Sequence, residues 1–169
     1  MARAGILKED DRVELLDGEI VEMNPIGSRH AACINRLVAL CRRELDPEIM
    51  ISVQNPLRLD EKSEPIPDLM FLRKRDDYYS RSHPEPGDVL LIIEVAETSL
   101  ESDRSVKIPL YARAYVPEVW LIDVCTERLE VYRNPSPQGY TEVNSHDKNA
   151  FVTPSGAPGF TVNISSLFL

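Results

Sequence analysis

The chain has 169 residues, of which 43% are hydrophobic, which fits one compact domain over residues 1–169 with a core of its own. No run of about 18 uncharged apolar residues occurs, and charge interrupts the first residues before an apolar segment can form, so we expect neither a membrane span nor a secretory signal. A formal net charge of -9 disfavours tight, nonspecific binding to a phosphate backbone, although basic residues can still gather on one face.

A β-hairpin is the first element that the pattern predicts. Apolar residues in 13–16 and 20–23 flank Asp17-Gly18, a dipeptide that favours a tight turn between antiparallel strands. These two short segments are therefore expected to pair with each other.

An amphipathic helix is predicted next, with Ser28 as N-cap and Asp46-Pro47 at its end. The residues that recur at helical spacing are Ile34, Leu37, Val38, Cys41 and Leu45. Cys33 and Cys41 are interpreted as buried packing residues, because free cysteine is commonly buried. With Cys125 the number of cysteines is odd, and no two of them form a C-x-x-C pair. This argues against a disulfide framework and favours a reducing cytoplasm.

Three strand-like segments follow, at 50–59, 67–72 and 89–96. The third is VLLIIEVA, an almost continuous apolar run that is typical of a central strand covered on both faces. Between the second and the third, the chain is too polar and too rich in Pro and Gly for anything but a loop.

A second helix is predicted over residues 102–115, with Pro109 inside it. Because proline lacks a backbone donor, this helix either starts near Pro109 or bends there. Strand-like segments at 119–124 and 129–132, and shorter ones at 140–143 and 160–164, complete the pattern. The predicted order is ββαβββαββ with a β-rich C-terminal tail, which places the chain in the α/β (α+β) class.

Glu94 interrupts the apolar run of the predicted central strand. A carboxylate in such a place costs free energy unless it is paired or binds a metal, so Glu94 is the most informative residue of the sequence. The alternative interpretation is a carboxylate at the strand end that reaches solvent or an arginine.

Asp68 follows Pro67 at the start of the preceding strand, where a Pro-Asp step can also be a simple strand-entry turn. Two neighbouring strands could nevertheless each contribute one carboxylate. Mg²⁺ is commonly held by one or two carboxylates together with waters and substrate phosphate. Asp68 and Glu94 therefore predict a magnesium site, with Mn²⁺ as the alternative metal, which would polarise a phosphoryl oxygen and activate a water molecule.

Lys107 is the candidate for a third catalytic group. A lysine ammonium is a compact positive charge that suits an attacked phosphate. On a helix Asp103 and Lys107 share a face, so the alternative is a surface ion pair contributing only about 0.2–0.5 kcal/mol.

Several segments together resemble the Uma-two family of restriction-endonuclease-like proteins, a bacterial family long labelled as a domain of unknown function. The similarity is carried by EPIPDLMFL, LLIIEVAETSLESDRSVKIPLYARAYVPEVWLID and LEVYR, and also by ELLDGEIVEMNP, Arg29-His30, VQNPLRLD and APGFTVNISSLF, so it runs nearly end to end. The resemblance implies the PD-(D/E)XK nuclease fold, a mixed central sheet flanked by helices. Pro67-Asp68 would supply the first acid and Glu94 the second.

One position departs from the plain motif, in which a lysine follows the second acid by two residues. Ala96 occupies that place here. The resemblance implies that the lysine has moved to the neighbouring helix, at Lys107. The main-chain carbonyl of Val95 is expected as a further metal ligand, because its side chain would point away while its main chain lines the site.

Accessory candidates are His30, Gln54 and the hairpin acids Glu19 and Glu22, each of which is also interpretable as a surface or packing residue. A basic and aromatic loop is a candidate nucleic-acid contact, since it combines positive charge with stacking faces, although a solvated loop explains it equally well. Its residues are Arg73, Lys74, Arg75, Tyr78, Tyr79, Arg81 and His83.

Two functions from different classes remain open at this stage. The first is a metal-dependent DNA endonuclease, favoured by the presence of Asp68, Glu94 and Lys107. The second is an inactive module of the same fold that binds nucleic acid or protein, favoured by the acidic balance and the displaced lysine. By analogy, a homodimer is expected, because duplex cleavage needs two active sites.

Overall fold

The computed structural model describes residues 11–168 and begins with the expected hairpin. Strands β1 (Val13–Leu16) and β2 (Glu19–Glu22) pair antiparallel, and Asp17 and Gly18 both adopt positive φ in the turn between them. The expectation that no secretory signal is present falls mainly on residues 1–10, outside the described residues. None of the helices within residues 11–168 could cross a lipid bilayer.

Helix α1 (Ser28–Glu44) confirms the predicted amphipathic helix, but its N-cap is Gly27 and not Ser28. The carboxylate of Glu97 explains the difference. Glu97 Oε2 lies 3.4 Å from the main-chain N–H of His30, which donates to it, and it would stand only 2.1 Å from a Cβ atom placed on Gly27. The Glu97 side chain, from a distant loop, therefore accepts a hydrogen bond from the first turn of the helix. The sequence had suggested the Ser28 hydroxyl for this capping role.

A six-stranded mixed sheet forms the centre of the described residues, in the spatial order β3-β4-β5-β6-β7-β8. Only the β5–β6 pair is parallel among these strands. The strands are β3 (Ile49–Val53), β4 (Leu69–Arg73), β5 (Val89–Ala96), β6 (Glu118–Asp123), β7 (Arg128–Ser136) and β8 (Gly139–His146). The sheet confirms the mixed architecture, while the prediction of one domain over residues 1–169 stays a prediction.

Strand β5 is buried on both faces, as its apolar run predicted. Alternate residues divide between two cores because side chains on a strand point to opposite faces. Leu91, Ile93 and Val95 pack in the core that contains α1, whereas Ile92 and Ala96 pack in the core on the other face. The same alternation places Glu94 on the second face, opposite α1.

The predicted second helix is interrupted in the way that Pro109 suggested. It consists of α2 (Leu100–Ser102), a π-helical segment (Asp103–Lys107) and α3 (Ile108–Arg113), with Pro109 in the first turn of α3. The N–H of Ile108 donates to the carbonyl of Asp103, five residues earlier. Proline has no N–H to continue the α-helical ladder, and the wider turn before it carries Lys107.

The strand prediction was wrong in several places. The segment 50–59 was expected as one strand, but β3 ends at Val53 because Gln54 adopts a positive φ of 51° and turns the chain. In the tail, a two-stranded sheet pairs β9 (Phe151–Val152) with β10 (Val162–Asn163), and the sequence pattern had predicted only the second of these.

The tail is expected to be part of the core, and two phenylalanines allow a matched test. Phe160 is 1% exposed and its ring packs edge-on against Phe71 at 5.3 Å, whereas Phe151 is 69% exposed. Phe160→Ala should therefore lower the free energy of unfolding by about 3–5 kcal/mol. Phe151→Ala should change it by no more than about 0.5 kcal/mol. Urea unfolding of both variants measures the two values, and equal losses would contradict this assignment.

Candidate active site

A cavity of about 370 Å³ lies between the hairpin, the start of α1 and the C-terminal end of β5. The π-helical segment closes another side of it. Among the charged and polar residues that line this cavity are Glu14, His30, Gln54, Asp68, Glu94, Asp103 and Lys107. The three predicted catalytic residues therefore come together, although they are separated by up to about forty positions in the chain.

Asp68 lies just before β4 and is 9% exposed. Its two carboxylate oxygens are held by different groups: the main-chain N–H of Val95 donates to Oδ2 at 2.9 Å, and the Gln54 side-chain amide donates to Oδ1 at 3.3 Å. The turn at Gln54 that ends β3 also brings its N–H to the carbonyl of Asp68, at 3.1 Å. Asp68 is thus fixed from two neighbouring strands, and Gln54 contacts it, while the accessory role of Gln54 stays a prediction.

Glu94 is 2% exposed, so the alternative of a strand-end carboxylate in solvent was wrong. The hydroxyl of Tyr111 donates to Oε1 at 2.5 Å, and Lys107 Nζ lies 3.4 Å from the same oxygen. Burial raises the pKa of Glu94 to about 8, with Lys107 opposing this rise and Asp68 adding to it. A carboxyl group in this environment gains stability as a carboxylate when a further cation is present.

Lys107 is buried between two carboxylates, with 11% of its side chain exposed. Its Nζ lies 2.8 Å from Glu14 Oε1 and 3.4 Å from Glu94 Oε1. Burial lowers the pKa of Lys107, but the carboxylates of Glu94, Glu14 and Asp103 outweigh burial and raise it overall. The alternative of a surface pair with Asp103 was therefore wrong, and Lys107 carries a positive charge inside the site.

Asp103 and Tyr111 are residues of this site that the sequence analysis did not select. Asp103 is 5% exposed and accepts a hydrogen bond from the Ser99 hydroxyl at 2.6 Å. Burial raises the pKa of Asp103, and the charge of Lys107 opposes that effect. Tyr111 is fully buried, and its position four residues after Lys107 was the available signal, since the two share a helix face.

The hairpin contributes Glu14 to the site, whereas the sequence analysis named Glu19 and Glu22. Glu19 is exposed on β2 and does not line the cavity, and Glu22 lines it as an exposed residue. Glu14 is 6% exposed on β1. The signal was the alternation of β1, because Glu14 lies on the same face as the buried Leu16.

His30 carries a buried polar atom whose hydrogen bonding is incomplete. Its Nε2 lies 2.9 Å from Asp68 Oδ2, yet the pair does not have hydrogen-bond geometry, and Nε2 has no hydrogen-bond partner among the described residues. Residues 11–168 contain no group of three His, Cys, Asp or Glu side chains arranged to hold a metal. Mg²⁺ is commonly held by one or two carboxylates with waters, so the hard oxygen atoms of Asp68 and Glu94 at one cavity fit that ion.

The basic loop lies at the other end of β4 from this site. Asp68 precedes β4 and Arg73 ends it, which separates them by about 16 Å at about 3.3 Å per residue. Lys74 Nζ contacts Glu48 at 2.8 Å, and Arg75 pairs with Asp77 at 2.7 Å. The structure therefore does not bring the loop to the cavity, and binding of nucleic acid by Arg73, Lys74, Arg75, Tyr78 and Arg81 stays a prediction.

Comparison with known proteins identifies a matching family and a similar solved structure. A family model named Uma2 and described as "Putative restriction endonuclease" matches residues 3–165. The crystal structure of a "putative nuclease belonging to DUF820" from Anabaena variabilis ATCC 29413 superposes with a TM-score of 0.74 at 18% sequence identity. The match covers 98% of this chain and 94% of that one, which shows a shared fold. Among curated proteins, none matches the sequence significantly.

The raised pKa of Glu94 predicts a pH dependence of stability in the absence of divalent cations. Between pH 4.5 and about 8 the folded protein keeps the Glu94 proton and the unfolded chain releases it, so the stability contributed by this proton is lost as the pH rises through that window. Glu94→Gln cannot ionise and should lose less stability than the parent between about pH 5 and about pH 8. Urea unfolding in a chelating buffer measures this, with Glu22→Gln as the control. An unchanged slope for Glu94→Gln would contradict the assignment.

Proposed function

We propose that this chain, which belongs to the Uma2 family of restriction-endonuclease-like proteins, is a metal-dependent DNA endonuclease that hydrolyses phosphodiester bonds. The observation that carries the proposal is one cavity in which two carboxylates, Asp68 and Glu94, lie with the buried ammonium group of Lys107. Family membership and the similar solved structure both point to a nuclease.

The residues that would hold magnesium are Asp68, Glu94 and the main-chain carbonyl of Val95. Their hard oxygen atoms suit Mg²⁺, with Mn²⁺ as the alternative metal. When bound, the ion polarises a phosphoryl oxygen and lowers the pKa of a coordinated water. Hydrogen bonds from neighbouring groups orient these ligands. The Val95 N–H and the Gln54 amide donate to Asp68, and the Tyr111 hydroxyl donates to Glu94.

Lys107 has a different task in the proposed reaction. Attack on a phosphodiester increases negative charge on the phosphoryl oxygens, and an ammonium group fixed beforehand stabilises that charge without reorganisation. The surrounding carboxylates keep the Lys107 side chain protonated. Lys107 therefore supplies positive charge to the phosphate and does not act as a general base.

The substrate and the assembly follow from the same proposal. We propose DNA as the substrate, a homodimer as the assembly that cleaves both strands, and the cytoplasm as the location. The net charge of -9 disfavours nonspecific binding, so DNA affinity would depend on basic residues gathered on one face. Residues of the 73–83 loop could contact a flanking stretch of the nucleic acid, away from the cleaved bond.

Removal of either proposed metal ligand should weaken Mg²⁺ binding strongly while the fold is retained. Asp68→Asn and Glu94→Gln each remove a charge with little change in volume. Calorimetric titration with Mg²⁺ and Mn²⁺, together with circular dichroism, measures both properties. Glu22→Gln is the control, because Glu22 is an exposed carboxylate at the same cavity. If both variants bind Mg²⁺ like the parent, the metal site lies elsewhere. If the parent binds no metal at millimolar concentrations, the inactive binding module is the better function.

Lys107→Met should separate catalysis from metal binding. Cleavage of plasmid DNA should fall by about a hundredfold to a thousandfold, because one preorganised electrostatic group is lost, while Mg²⁺ binding persists. The Glu14 carboxylate that is left unpaired should also lower the free energy of unfolding by about 3–5 kcal/mol. Lys107→Arg keeps the charge and should retain more of both properties.

The matched control for this experiment is Lys148→Met, which breaks the exposed pair with Glu127. It should alter unfolding by less than about 1 kcal/mol and leave cleavage as in the parent. Undiminished cleavage by a folded Lys107→Met protein would remove Lys107 from the reaction.

A further inference from the structure

We propose that Glu14 is a positioning residue of this site, which holds the ammonium group of Lys107 in place from the hairpin. The proposal rests on the function proposed above and deepens it. Glu14 would not touch the substrate or the reacting atoms. Its effect on the reaction would pass through Lys107.

The two ion pairs of Lys107 differ in length. Lys107 Nζ lies 2.8 Å from Glu14 Oε1 but 3.4 Å from Glu94 Oε1, so the shorter of its two ion pairs is with the hairpin. A lysine side chain has four rotatable carbon bonds and loses much rotamer freedom when it is fixed. Without Glu14 the remaining ion pair with Glu94 is the longer one, and the ammonium group is free to move within the cavity.

Glu14 is itself held in place, which is what a positioning residue requires. It is 6% exposed, and the main-chain N–H of Ile66 donates to the same Oε1 atom at 2.7 Å. This oxygen therefore accepts from two groups of the protein. Glu14 therefore presents a fixed acceptor to the ammonium group of Lys107.

The hairpin reaches the site through the segment that leads to Asp68. The N–H of Glu64 donates to the carbonyl of Leu15 at 2.7 Å, and the N–H of Gly18 donates to the carbonyl of Lys62 at 2.7 Å. Ile66, which binds Glu14, lies two positions before Asp68. Glu14 thus connects the lysine on the π-helical segment to the backbone that positions the first acid, although β1 belongs to a separate two-stranded sheet.

A double-mutant cycle tests this proposal with Glu14→Gln, Lys107→Met and the variant that combines them. Glu14→Gln should lower single-turnover cleavage of DNA by about tenfold to a hundredfold, the scale of a small misplacement at a reacting centre, and Mg²⁺ affinity should stay near that of the parent. In the Lys107→Met background the same substitution should cause little further loss, because the group that it positions is gone. The changes in the free energy of unfolding, measured with urea for the four proteins, should also be non-additive.

Two further variants keep the test sharp. Asp17→Asn is the control, because Asp17 is another hairpin carboxylate, whose pair with Arg113 at 2.7 Å is exposed, and it should leave cleavage unchanged. Glu14→Asp keeps the charge in a shorter side chain and should retain more cleavage than Glu14→Gln. If Glu14 only fills space, the isosteric Gln variant will instead be the more active of the two.

The remaining outcomes separate failure of this inference from failure of the proposed function. Equal cleavage losses in the parent and Lys107→Met backgrounds would overturn the inference, since Glu14 would then act independently of Lys107. A loss of Mg²⁺ affinity as large as that of Glu94→Gln would make Glu14 a metal ligand and also overturn it. A parent that cleaves no DNA would end the proposed function, and additive unfolding energies would still overturn the contact between Glu14 and Lys107.

Discussion

A single ammonium group balances the buried carboxylates of this protein, and the parts of the chain around it depend on that balance. Lys107 contacts Glu14 and Glu94, and the charge of Asp103 acts on it as well. Two or three carboxylates without a cation would be costly in a place of low dielectric constant. The hairpin, the central strand and the interrupted helix therefore meet at Lys107, to which the first two contribute Glu14 and Glu94. This meeting point is also the place at which we propose that a phosphate and a metal bind.

Neighbouring residues of β5 have different roles because their side chains alternate between the two faces of the sheet. Val95 packs in the core beside α1 while its N–H holds Asp68, and Glu94 points to the other face, towards Lys107 and Tyr111. Because β5 is covered on both faces, neither residue can shift without disturbing a core. Apolar packing on both faces of β5 therefore adds to the polar contacts that hold Asp68 and Glu94.

The sequence predicted β5, the burial of Glu94 and the break near Pro109 because each depends on local chemistry: an apolar run, an acid within it and a missing donor. It missed Glu14 because an alternating strand reveals only which face is buried, and the partner across the cavity comes from a helix 93 positions later. The basic loop stood out by composition, but only the direction of β4 separates it from Asp68. Ser28 was an acceptable N-cap in isolation, and only the fold brings Glu97 to the helix.

The π-helical segment affects how this lysine aligns between related sequences. A turn closed between residues five apart holds one residue more than a turn closed between residues four apart. A relative with a regular α-helix in this place would therefore present its lysine one position earlier relative to the acid of the central strand. The spacing of 13 between Glu94 and Lys107 belongs to the wide turn of this chain. Ungapped alignment would set the lysine of such a relative against Val106, so a charged group that is spatially equivalent would be scored as lost.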